Sequence, residues 1–149
     1  MRFVIEGPPR TAKNSQQIAR TRRGTPFVTK GHVARDWQRD AVRQLTKQYP
    51  QQVAGTKLET GAVCIKVDRK RGIVTWFYNV VTAPVNLRAL IYRDKRTGDT
   101  VGYLQAICDA LEAAHVIAND KQIETFDGSR PLVDRERPRV EIELTPLPG

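Results

Sequence analysis

Asp99 and Asp120 are the side chains whose type and spacing could do chemistry in this chain. Carboxylates are hard oxygen ligands that hold Mg²⁺ while leaving room for water and a phosphate oxygen, so the chemistry on offer is metal-assisted hydrolysis of a phosphodiester. Other routes lack their parts. There is no Cys-x-x-Cys pair, no phosphate-cradling glycine loop and no Gly-x-Ser-x-Gly elbow. His115 falls on the apolar arc of a predicted helix and His32 opens another, so both read as structural. Cys64 and Cys108 sit inside apolar periodic segments and read as buried thiols rather than a disulfide. The enzyme reading therefore rests on the acids.

The element that must position them is a helix. Asp99 follows Gly98 and precedes an apolar-periodic run, which suits an N-cap. At about 100° per residue, Tyr103, Leu104, Ile107, Cys108, Leu111, Ala114 and His115 share one arc, while Gln105, Asp109 and Glu112 lie together on another face. Asp120 comes just past the end of this helix, before a strand at Gln122 to Phe126. Asp109 is about 15 Å along the axis from Asp99, too far to share an ion, and reads as a buried carboxylate hydrogen-bonded to a loop. The same ruler puts Asp99 and Asp120 at opposite ends of a helix about 22 Å long, so either the chain doubles back or a two-fold axis pairs Asp99 of one chain with Asp120 of another.

This stretch resembles the core of the RusA family of Holliday junction resolvases, small phage and prophage endonucleases that cut four-way DNA junctions. The residues that carry the resemblance are Gly98-Asp99, Asp109-Ala110-Leu111 and Asn119-Asp120-Lys121-Gln122-Ile123. It implies that Asp99 and Asp120 are metal-binding carboxylates, that Mg²⁺ is the cofactor with Mn²⁺ as a substitute, and that the substrate is branched DNA; the two acids' separation along the helix, with the paired cuts a junction needs, makes a homodimer the expectation. Val101 and Gly102 stand where the family has a second essential Asp and an Asn, and Gln105 where many members have Lys. Asp127, on the turn after the next strand, then reads either as a third ligand or as a turn former, since Asp-Gly is also ordinary turn chemistry.

Charge supports a polyanionic partner. Residues 1–49 hold eleven Lys and Arg against three Asp and Glu, net +8; residues 50–98 hold nine against three, net +6; residues 99–149 hold five against ten, net −5. A basic body with its acids gathered around one motif fits a protein that grips phosphates broadly and holds cations at one place. The basic segment from Arg10 to Gly24 resembles the family's N-terminal Pro-Pro-x-x-Asn region, and Arg10, Lys13 and Asn14 are candidate phosphate ligands. Arg69, Lys70 and Arg71 tip a predicted hairpin of strands 62–67 and 73–81. This basic hairpin, spanning about 58–82, is extra relative to compact family members. Lys95 and Arg96 lie on the turn that leads into Asp99, beside the phosphate to be cut.

The rest of the 149 residues, 40% of them hydrophobic, predicts one α/β domain of α+β type with a mixed β-sheet and two main helices. Strands are expected at 1–6, 26–29, 84–92 and 139–144. A helix is expected over 32–48, with Val33, Trp37, Ala41, Val42, Leu45 and Tyr49 inward and Arg35, Arg39, Arg43 and Lys47 outward. Residues 10–24 read as a loop, and 127–130 as a turn. No apolar run approaches 18 residues and no signal-peptide pattern follows Met1, so a cytoplasmic protein without membrane contact is expected.

Overall fold

The computed structural model describes residues 1–149 apart from 12–15, 51–52, 55–63, 78–79 and 97. Strict apolar alternation builds the central sheet. Val85, Leu87, Ala89 and Ile91 of β7 (Val85–Arg93) point to one face, as do Val140, Ile142 and Leu144 of β10 (Arg139–Pro146) and Phe3 and Ile5 of β1 (Arg2–Glu6). β10 runs antiparallel between β1 and β7. The far edge of β7 pairs in parallel with β8 (Ile123–Thr125) at its start and with β9 (Arg130–Val133) at its end.

Two helices cover the apolar face. α1 (His32–Gln48) has the predicted bounds and buries Ala34, Trp37, Ala41 and Leu45. Val33 departs from the expectation: at 42% exposed it lies outside the inward stripe, and Ala34 takes that place. Gln44 and Gln48 of α1 bridge main-chain groups of Glu6 and Val4, which ties the helix to the edge strand β1. α2 (Thr100–Ala113) buries Tyr103, Ile107, Cys108, Ala110 and Leu111, and connects β7 to the parallel β8. Parallel neighbours need such a crossover. The opposite face of the sheet is polar, with Glu143 held between Arg2 at 3.0 Å and Arg88 at 3.3 Å, and Arg139 between Glu141 at 2.8 Å and Asp134 at 2.9 Å. The architecture is α+β with a mixed sheet, as the pattern predicts. Among the described residues no helix is long and apolar enough to cross a membrane.

Two small antiparallel ribbons stand outside this sheet. β2 (Gln16–Arg20) pairs with β3 (Pro26–Lys30), so the basic segment read as a loop contains a strand. The second joins β4 (Val53–Ala54), β6 (Ile73–Phe77) and β5 (Cys64–Asp68), and includes the predicted basic hairpin, of whose expected span residues 58–63 and 78–79 lie outside the described ones. Val81 instead bridges Ile117, with Val81 N–H donating to Val116 O at 2.9 Å and Ala118 N–H to Val81 O at 3.1 Å. β9 likewise occupies residues from Arg130 on, where only a turn was expected.

α2 ends two residues earlier than its periodicity predicts. The N–H of His115 donates to Glu112 O at 2.9 Å and that of Val116 to Leu111 O at 3.0 Å, a Schellman closure with His115 in the left-handed conformation at φ 56°. His115 thus leaves the helix arc, and its ring stacks on Phe77 of β6 with centroids 3.9 Å apart. Burial and the Lys66 cation hold its imidazole below the usual range, against the pull of Glu112. The depressed value means that the folded state prefers the neutral ring, so unfolding takes up a proton between that value and about 6.5, and stability rises with pH across this window. Thermal melts taken downward from neutral pH are expected to show stability lost once the pH falls below about 6.5, and His115→Asn, which tolerates the left-handed backbone and does not titrate, to flatten that change.

Candidate metal and nucleic-acid site

Asp99 caps α2. Its Oδ1 accepts from Gly102 N–H at 2.5 Å, and Gly98 before it turns the chain at φ +88°. Gly98 has to be glycine: a Cβ there would stand 2.7 Å from the Tyr103 hydroxyl. Gly102, one turn on, would bring a Cβ to 3.3 Å from Thr11, so the N-terminal segment packs close over the first turn of α2. Arg10 next to it makes a two-pronged ion pair with Asp94 at 3.0 and 3.1 Å, and this partner holds the Asp94 carboxyl below the usual range. Arg10 therefore clamps the segment to the exit of β7. Lys95 and Arg96 are exposed on the same connection, while Lys13 and Asn14 lie outside the described residues.

Because its carboxylate is already a cap, Asp99 has a structural duty that can be separated from any chemical one. Asn caps as well as Asp, so Asp99→Asn is expected to keep the melting temperature, whereas Asp99→Ala costs about 1 kcal/mol. Denaturant titration of the two variants distinguishes the cases.

Asp120 stands at the other end of α2. It opens a 3-10 turn, Asp120–Gln122, whose capping box is made by Asn119 and Gln122. Its N–H donates to Glu112 Oε2 at 3.0 Å. Asp109, Glu112 and Asp120 all raise the Cys108 thiol, which burial in the first place and these negative charges in the second push up to about 12. The acids on this side are thus gathered near the last turns of α2. Asp109 accepts from Gln105 on its own helix at 3.0 Å. Glu112 is the residue that site reasoning passed over. Its signal was its place beside Asp109 on one helix face.

Asp127 is a turn residue at a third location. Its N–H donates to Asn86 Oδ1 at 2.8 Å, and Thr125 Oγ1 donates to the same oxygen at 2.6 Å, so the β8–β9 turn is pinned to the start of β7. Asp99 follows the end of β7 instead. From Asn86 to Arg93 is about 23 Å of strand, and α2 itself is about 21 Å long. One chain therefore does not bring Asp99, Asp120 and Asp127 together. Among the described residues no three His, Cys, Asp or Glu side chains are gathered as an ion would require.

The candidate phosphate-binding cations lie in two places. The β5–β6 ribbon is rooted at the Asp120 end through the Phe77–His115 stack, and its tip carries Arg69, Lys70 and Arg71, all exposed. Asp68 shapes that tip by accepting from Lys70 N–H at 3.0 Å and Arg71 N–H at 3.2 Å. Lys95 and Arg96 attend the Asp99 end. The outward stripe of α1 is partly neutralised, with Arg39 2.8 Å from Asp36 and Arg43 4.0 Å from Asp40.

No protein-family model matches this chain, and no curated protein matches it either.

Proposed function

We propose that the protein is a metal-dependent endodeoxyribonuclease of RusA type that works as a homodimer on four-way junctions and resolves them by paired symmetric nicks. The observation that carries this reading is the β7–α2–β8 crossover, with Asp99 and Asp120 at opposite ends of one helix, the basic Lys95–Arg96 connection leading into Asp99, and the base of the basic-tipped β5–β6 ribbon at the other end. A two-fold axis that sets Asp99 of one chain against Asp120 of its partner creates two equivalent acidic sites, and two related cuts need that symmetry. Asp99 and the Asp120 carboxylate across that axis would hold Mg²⁺ or Mn²⁺, which would supply a Lewis acid for the phosphate and a more acidic water. The chain's own part is to hold the backbone: Lys95 and Arg96 meet phosphates beside Asp99, and the Arg69–Arg71 tip reaches along a junction arm. The expected compartment is the cytoplasm of a bacterial or phage-infected cell.

The test is a synthetic four-way junction and a matched linear duplex, each incubated with Mg²⁺ or with chelator. Symmetric nicks in the junction, with metal only, support the proposal. An uncut junction in both Mg²⁺ and Mn²⁺ removes the nuclease, and equal affinity for single-stranded RNA removes the preference for branched DNA.

One observation favours a second reading, a branched-DNA-binding protein of the same fold that does not cut. Val101 is 76% exposed in the first turn of α2, where the resemblance has its second essential acid, and that turn holds no other acid. Val101→Asp adds a carboxylate beside Asp99 and also suits the positive end of the helix by about 0.3–1 kcal/mol. Cleavage at least ~10-fold faster in this variant, from a slow or silent wild type, is the expected result. An unchanged cutting rate would show that the position has no part in the chemistry.

A further inference from the structure

Among the described residues the β2–β3 ribbon pairs with no other strand, and one of its faces is open. Ile18 stands opposite Val28, and Arg20 opposite Pro26, so these four share a face. Ile18 is 76% and Val28 65% exposed, whereas Phe27, paired with Ala19 on the other face, is 46% exposed. Two adjacent β-branched residues left this far in water contribute nothing to the core, and a lone two-stranded ribbon is marginal without a partner. Its turn is nevertheless well built. Thr21 N–H donates to Thr25 O at 3.0 Å, Gly24 N–H to Thr21 O at 2.9 Å, Thr25 N–H to Thr21 Oγ1 at 3.2 Å, and Arg20 reaches Gly24 O at 3.0 Å. Gly24, at φ +82°, allows the reversal. The tip presents Arg22 and Arg23, both exposed.

We infer that this ribbon is an arm that lies in a groove of duplex DNA, with Arg22 and Arg23 on the phosphates and the Ile18–Val28 pair against base edges. The inference rests on the DNA-binding reading and adds a contact element to it. Charge selects the partner. From Gly7 to Arg35 the chain has seven Lys and Arg and no Asp or Glu, so the arm is complementary to a polyanion and repels the same patch on a second copy. The order of groups argues against a membrane, because a hairpin that dips into lipid carries its apolar residues at the tip, and here the tip is cationic with the apolar pair behind it. A two-stranded ribbon matches the width of the DNA major groove, where apolar side chains meet thymine methyl groups.

Binding of a synthetic four-way junction and of a linear duplex, followed by fluorescence anisotropy over a range of salt, tests the arm in the full chain with R22A/R23A and I18S/V28S. All four residues lie outside the buried core, so both variants are expected to melt with the wild type. R22A/R23A is expected to weaken both complexes and to lower the slope of log affinity against log salt by about 1 to 2 units. I18S/V28S is expected to lose about tenfold in affinity with the slope unchanged. Wild-type affinity and slope in both variants would overturn the arm while leaving the DNA reading intact. A wild type that binds neither DNA would remove the underlying reading itself. Loss of dimer, or of binding to anionic phospholipid vesicles, with DNA affinity retained would assign the ribbon to a different partner and overturn the proposal.

Discussion

Asp120→Asn is expected to abolish the proposed junction cutting and to leave the protein folded. The substitution keeps the side chain's size, and the local structure leans on other groups: the Asp120 N–H is held by Glu112, and the capping box belongs to Asn119 and Gln122. Stability is therefore expected to change by no more than about 0.5 kcal/mol. The loss of one anionic ligand is expected to lower the cutting rate at least ~100-fold, while junction affinity stays level or rises because repulsion of the phosphates falls. A mixing experiment then separates sites made within a chain from sites shared between two. If Asp99 of one chain works with Asp120 of the other, a heterodimer of Asp99→Asn and Asp120→Asn chains has one site with both acids intact and one with neither. Mixing two inactive proteins at equal amounts should then restore single-sided nicking, through the roughly half of dimers that are mixed. If both acids served one chain's own site, every site would lack one of them and mixing would restore nothing. Wild-type cutting by Asp120→Asn would remove this residue from the chemistry altogether.

Leu111→Ala is expected to have the largest effect on stability. Leu111 is fully buried on the inner face of α2, and its carbonyl also closes the Schellman turn through Val116. Truncation leaves a cavity that the surrounding Ile107, Ile117 and sheet residues fill only in part, at a cost of about 2–5 kcal/mol. Against a total of about 5–15 kcal/mol, this lowers the melting temperature by about 10 °C. The effect reaches the site, because α2 sets the spacing between Asp99 and Asp120. Leu104, partly buried on the same helix, is the control, and its replacement by Ala is expected to cost less than half as much. Equal melting of the two variants would mean that α2 is not packed as described.

What was readable in advance followed the strength of the periodic signal. α1 has a full amphipathic repeat bounded by Gly31 and Pro50, and its limits agree to the residue. The Asp99 cap was visible because an acid after glycine and before an apolar run has one common use. The end of α2 was hidden: the closing left-handed residue is His115, not glycine, so the apolar rhythm runs on through a helix that has already stopped. β2 and β9 escaped for a related reason. Gln16–Arg20 has no apolar alternation, and β9 contains Pro131, which is tolerated only because it lies on a sheet edge. The acids themselves were evident one by one. The distance between Asp99 and Asp120 was legible as the length of the helix between them, whereas the place of Asp127 depended on the parallel pairing of β7 with β8, a long-range contact that no local spacing encodes.

The position of β10 between β1 and β7 has a consequence for how the molecule comes into being. The strand that joins the first element of the sheet to its middle, residues 139–146, follows every other described strand in the chain. Until it docks, Phe3 and Ile5 belong to a strand without its sheet neighbour, while α1, α2 and the two ribbons can form from nearby residues. The high proportion of distant pairings predicts refolding in milliseconds to seconds, roughly, rather than microseconds.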